Sequence, residues 1–363
     1  MEKIKEAINK IFHYDSQNYI FVYTPPKVGS TTLVTSLRIS LGKRFNIIHI
    51  HDDIMLSVLT CINNVTINDI IYFLASEGKS VYVIDIYRTP IKRKMSEFFE
   101  KISTYHFNNT EENISNYNLK RITNRFNKLF PYLAIGEHYF DKYNIHKPPL
   151  FNFETKYSLQ EINNIKYVKL RLCDTHLWAN ILSKILHNDI VLVNDYLTET
   201  KNIGELYKKF KNEYKLPINF LNLIESCKYL KFYYSDEERK TYLDEWRIKT
   251  EPHFTPYKEE EYKFYVVLYL ENQHINDIQQ DHYIDDGCYC DLCKKKRREY
   301  FFKAKRGETI TEKITHNALV NENVKQKNIK IYEIIKNRLA ELNKHKIKAT
   351  QKHSKFAINI SYK

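Results

Sequence analysis

Residues 18–32 read Asn-Tyr-Ile-Phe-Val-Tyr-Thr-Pro-Pro-Lys-Val-Gly-Ser-Thr-Thr. Tyr19 to Tyr23 is a short continuous apolar run, the pattern of a buried strand. Pro25, Pro26 and Gly29 break it. From Ser30 to Leu41 a helix is predicted, because Leu33, Leu37 and Leu41 fall on one stripe. A strand that turns into a helix points free backbone N–H groups and the helix dipole at one spot, which suits a phosphate. Gly29 lets the backbone approach closely. Ser30, Thr31 and Thr32 supply hydroxyl donors, and Lys27 supplies a mobile positive charge.

Working outward, Met1 to Ile11 carries helical spacing, Phe45 to Ile50 reads as a strand, and Asn68 to Glu77 as a helix stopped by Gly78. Ser80 to Tyr87 is a third strand, and Pro90 opens a helix running to about Ser103. Asn164 to Leu172 is a fourth strand, followed by helical Thr175 to Leu186. Ile203 to Tyr214, Ile218 to Tyr229 and Asp236 to Trp246 are helical, and the polar text from Thr104 to Arg125 is a surface insertion or a helix with a charged face. The alternation of strand and helix predicts an α/β fold, a P-loop-like parallel sheet with helices on both faces, over residues 1–250. After a composition break near Pro252 to Pro256, Tyr262 to Leu270 reads as an isolated strand. Residues 251–363 then form a small basic C-terminal appendage.

The composition agrees with a packed protein: 43% of the 363 residues are hydrophobic and 14% aromatic, which argues against general disorder. The net charge of +13 is local, since Cys288 to Lys363 hold 20 Lys and Arg against 7 Asp and Glu. That segment is either a polyanion contact or a solvated basic tail. No stretch is long enough to span a membrane. Met1 to Phe12 carries charges throughout, unlike a secretory signal. Three of the six Cys are clustered, and Cys61, Cys173 and Cys227 are scattered, the usage of a reducing, cytoplasmic compartment.

A second anion site is written into residues 81–99. Arg88 sits at a strand's carboxyl end, where ligands of open α/β sheets bind. Ser96 lies two helical turns on, so that a guanidinium fork and a hydroxyl could share one phosphate. The second strand ends Ile47-Ile48-His49-Ile50-His51-Asp52-Asp53, and alternation puts His49 and His51 on one face. Histidine is the commonest general base near neutral pH.

The order Pro-Lys-x-Gly-Ser-Thr-Thr at residues 26–32 resembles the 5′-phosphosulfate loop of sulfotransferases that use 3′-phosphoadenosine 5′-phosphosulfate (PAPS). The likeness is to the carbohydrate sulfotransferases and the capsular polysaccharide synthesis proteins akin to them. Arg88-Thr89-Pro90, with Ser96 and the aromatics after it, is similar to that family's 3′-phosphate motif, although Thr89 replaces the usual acidic residue. The resemblance implies that Lys27, Gly29, Ser30, Thr31 and Thr32 hold the 5′ end, and that Arg88 and Ser96 grip the 3′-phosphate. It implies Lys27 as the partner of the leaving oxygen, His51 as the base supported by His49, and a carbohydrate hydroxyl as acceptor. Asp52 or Asp53 could instead orient the ring or act as base. Arg171 and Asp174 match the family's later core strand, where Cys173 replaces an acidic residue, and that segment reads as structural.

In the run from Cys288 to Cys293, Cys290-Asp291-Leu292-Cys293 has the spacing of a zinc knuckle, and Cys288 or His282 could complete the four ligands; three free thiols are the alternative. Lys294 to Arg298 follow directly and suit a polyanionic acceptor or nucleic acid. Two other functions stay open. An atypical P-loop kinase would use Asp85 for magnesium, although Lys27 precedes the only glycine of its loop, unlike a GxxxxGK[ST] pattern. A degenerate fold could bind nucleic acid through its tail.

Overall fold

The computed structural model describes residues 1–12, 15–134, 151–193 and 202–271, with isolated positions between 302 and 337. Its centre is a five-stranded sheet of β1 (Asn18–Tyr23), β2 (Asn46–Ile50), β3 (Ser80–Tyr87), β4 (Ser158–Ile162) and β5 (Ile165–Arg171), in the order β2-β1-β3-β5-β4. Neighbours among β1, β2, β3 and β5 pair in parallel, and β4 is antiparallel to β5. The chain is therefore an α/β protein with a mostly parallel sheet. From β1 it steps to β2, then crosses back over β1 to reach β3. Open sheets of this kind gather ligands where the order reverses, outside the carboxyl ends of the strands.

Helices cover both faces because the strands are apolar on both. On one face α1 (Glu2–Ile11), α3 (Asp53–Thr60) and α4 (Ile67–Ser76) pack on Tyr19, Phe21, Ile48 and Val83. On the other, α2 (Ser30–Leu41) and α8 (Trp178–Leu186) pack on Ile20, Val22, Ile84 and Val168. A 3-10 turn, Leu172–Leu177, carries β5 into α8. Helix α4 starts at a capping box of Thr66 and Asp69, which satisfies two of its orphan N–H groups.

A second core is built mainly from helices. It joins α5 (Pro90–Glu100), the π-helix Ile102–Phe107, α6 (Glu111–Ser115) and α7 (Leu119–Ala134) to α9 (Gly204–Glu213), α10 (Ile218–Glu225), α11 (Lys228–Tyr233) and α12 (Asp236–Arg247). Phe98, Phe99, Phe126, Phe130 and Phe210 form its centre. The polar stretch from Thr104 to Arg125 is not a surface insertion. Ile114 and Ile122, single apolar residues among polar ones, are fully buried and anchor it to this core.

Residues expected to form an isolated strand at Tyr262 to Leu270 are helical instead, in α13 (Glu259–Glu271). Three Glu in its first turn suit the positive end of the helix dipole, and Tyr262 and Tyr265 pack on the helical core. The Tyr257 N–H donates to the Lys128 carbonyl at 3.0 Å. Residues 254–265 are thus part of the packing that α7 and α10 begin. Two-residue strands β6 (Leu216–Pro217) and β7 (Thr250–Glu251) pair in parallel beside it. Among the described residues no helix is long and apolar enough to cross a membrane.

Candidate functional site

The turn after β1 is stitched to both neighbouring strands by Thr24. Its N–H donates to the Ile50 carbonyl at 3.3 Å, and its Oγ1 donates to the Ile86 carbonyl and accepts from the Ile86 N–H, also at 3.3 Å. The chain then enters the left-handed region twice, at Lys27 (φ 65) and Gly29 (φ 90). For Lys27 that conformation costs on the order of 1–2 kcal/mol. At Gly29 a Cβ would lie 2.6 Å from Leu172 Cδ1, so any side chain there would have to push the leucine tip aside. Gly29 is the N-cap of α2 and gives it no side-chain cap. The loop that sequence reading assigned to a phosphate is therefore a tight turn into a helix whose first donors take no acceptor from the cap residue.

Arg88, at the end of β3, reaches this turn. Its Nη1 donates to the Lys27 carbonyl at 2.9 Å. The Lys27 ammonium pairs with Glu100 at 3.0 Å, with side chains only 15% and 18% exposed. Glu100 is the last residue of α5 and lies 73 positions from Lys27, so no local spacing announces it. Arg88 also lines a cavity of about 550 Å³ together with Lys92, Tyr234 and the α12 carboxylates Glu237, Glu238 and Glu245. Ser96 is buried, at 3% exposure, and is not in the wall of that cavity. Ser30 is also buried, whereas Thr31 and Thr32 are half-buried.

At the end of β2 the two histidine rings meet edge to face, with centroids 4.6 Å apart. His49 is buried and His51 half-buried. The His51 Nδ1 lies 2.5 Å from the Thr24 carbonyl. A carbonyl only accepts, so Nδ1 carries the proton and a neutral ring keeps its lone pair on Nε2. Asp52 and Asp53 have other work. Asp52 caps α3 by accepting from the Met55 N–H at 2.7 Å, and Asp53 accepts from the Ile67 N–H at 2.8 Å. They start two helices.

Further along the sheet, charge is buried and paired. Asp85 lies 3.5 Å from the Lys169 ammonium and accepts from the Tyr233 hydroxyl at 3.3 Å. Burial pushes its carboxyl up, against the pull of Lys169 and Tyr233. A carboxylate enclosed in this way is poorly disposed to take magnesium. Arg171, also buried, bonds to Asp174 at 2.6 Å, to the Tyr233 carbonyl at 2.9 Å and to Glu238 at 2.7 and 3.1 Å. This guanidinium ties β5 to α12, in keeping with a structural reading of the segment. His282, Cys288, Cys290 and Cys293 lie outside the described residues, as does most of the basic tail.

Comparison of the chain with protein-family models, with curated proteins and with solved structures gives no match.

Proposed function

We propose that the chain is a PAPS-dependent sulfotransferase, which moves a sulfuryl group to an acceptor hydroxyl, of a carbohydrate by the likeness of its motifs. One observation carries the reading: Arg88 bonds to the Lys27 carbonyl at 2.9 Å. It sets two anion-binding elements against each other where the strand order reverses. A donor with anionic groups at both ends of one nucleoside needs two such elements together. In this reading residues 18–41 are P-loop-like, with the lysine ahead of a single glycine.

The residues present fit such a donor at Lys27, at the uncapped start of α2 and at Arg88. They fit less well at Ser96, whose hydroxyl is enclosed. Bound there, PAPS supplies an electrophilic sulfur, whose bond to the 5′-phosphate oxygen breaks as the acceptor oxygen bonds to it. Lys27 and the α2 N-terminus offset the charge left on that phosphate oxygen. His51 Nε2 takes the acceptor's proton, while the Thr24 carbonyl fixes the tautomer. His49, packed on the His51 ring, steadies its plane.

A screen of hydroxyl acceptors with radiolabelled PAPS tests this. The expected result is transfer by the wild-type chain, slowed about 10²–10⁴-fold in His51→Ala as befits loss of a general base. Stabilisation by ATP with magnesium, and no transfer to any acceptor, would contradict it.

A further inference from the structure

Lys27 is held at both ends by a single stretch of chain. Arg88, just before α5, takes its carbonyl, and Glu100, at the end of α5, takes its ammonium at 3.0 Å. Both members of the ion pair are more than four-fifths enclosed, so water and salt screen their attraction only weakly. The pair is formally neutral. An anion entering the turn thus meets a lysine whose charge is already matched. It gains that charge only by drawing Lys27 away from Glu100. Lys27 also keeps a left-handed backbone, at φ 65, and strain of this kind concentrates where a side chain is held for a ligand.

We propose that Glu100 is a positioning residue: it competes with the anionic end of the donor for Lys27 and releases the lysine when that end fills the turn. The identity of the donor rests on the sulfotransferase reading, whereas the competition applies to any phosphate-bearing ligand. A lone phosphate has to displace Glu100 unaided. A ligand already held at Arg88 does so with its second anion tethered beside Lys27, which raises the effective concentration of that anion. The pair therefore favours ligands with two anionic ends over inorganic phosphate and its relatives.

Calorimetric titration of the full chain with inorganic pyrophosphate and, separately, with 3′-phosphoadenosine 5′-phosphate tests the competition. Glu100→Gln is expected to bind both about tenfold tighter, with a steeper loss of affinity on adding salt, because the Glu100 carboxylate no longer offsets the ammonium that meets the anion. Glu100→Asp keeps the charge and is expected to stay near wild type. In the transfer assay Glu100→Gln should lower the KM for the donor without raising kcat, a split that a purely structural residue would not give. Should Glu100→Gln fail to fold, Glu100→Ala has to move the affinity in the same direction. Equal or weaker binding of both ligands by the folded charge-removing variant overturns the proposal. Tighter pyrophosphate binding, with no binding of the adenosine bisphosphate by either protein, leaves the competition standing and sinks the sulfotransferase reading. Binding of the bisphosphate equally by both proteins does the reverse.

Discussion

The Arg88 guanidinium donates to the carbonyl of Lys27, 61 positions away in sequence, at 2.9 Å. The bond joins the turn after β1 to the turn after β3, and it holds a lysine whose backbone is left-handed. A hydrogen bond with a charged donor contributes about 1.5–3 kcal/mol, enough to offset the strain at Lys27.

Arg88→Ala should act on binding and on stability together. Affinity for 3′-phosphoadenosine 5′-phosphate is expected to fall by at least about tenfold, and its advantage over adenosine 5′-phosphate to vanish, because a charge-assisted contact worth about 1.5–3 kcal/mol is lost. Competition binding with the two nucleotides reads this directly. An undiminished preference for the 3′-phosphate would remove Arg88 from the site.

Gly29→Ala should destabilise the protein by about 2–4 kcal/mol, combining the strain of a positive φ with overpacking against Leu172. In the Leu172→Ala background the clash is gone and only the backbone strain remains. Urea unfolding of the two single variants and the double variant is therefore expected to show a cost below the sum. Strict additivity would mean that the two residues do not touch.

Glu238 links pH to stability. Burial alone would raise its carboxyl, but hydrogen bonds from Arg171 and Lys156 outweigh that and hold it at about 2, against an ordinary 4.5. The folded state thus binds this proton more weakly than the unfolded chain. The stabilisation is complete above pH 4.5 and is lost as pH falls through about 2. Glu238→Gln should flatten the stability profile over that window. At pH 7 it should cost about 1 kcal/mol, because Glu238 is partly exposed and buried Arg171 keeps Asp174 as a charged partner. Chemical denaturation from pH 7 to pH 2 checks both outcomes.

Much of the sheet was legible because its signals are local. Gly29 and Gly42 bracket α2, so Ser30–Leu41 could be read residue for residue, and the apolar run Ser80–Tyr87 is β3. What escaped reading was long-range or short. β4 is a half-exposed edge strand in which only Ser158 is fully buried, and it carries no continuous apolar run. Asp52 caps α3, a role that sequence alone does not separate from one beside histidine, since capping and catalysis recruit the same residue type. Tyr262 to Leu270 is rich in strand-forming residues, yet the helical core takes Tyr262 and Tyr265 at helical spacing. Arg88 and Lys27 were expected to serve one ligand, and they lie in contact. Glu100 could not be foreseen, because only the packing of α5 brings it to Lys27.

The account hinges on one crevice serving two anions of one nucleotide. The most direct test is calorimetric titration of the full chain with 3′-phosphoadenosine 5′-phosphate and with magnesium ATP, repeated on Lys27→Ala and Arg88→Ala. Binding of the bisphosphate alone, weakened by both substitutions, is the predicted result. Binding of magnesium ATP instead, or a bisphosphate affinity indifferent to either residue, would contradict it.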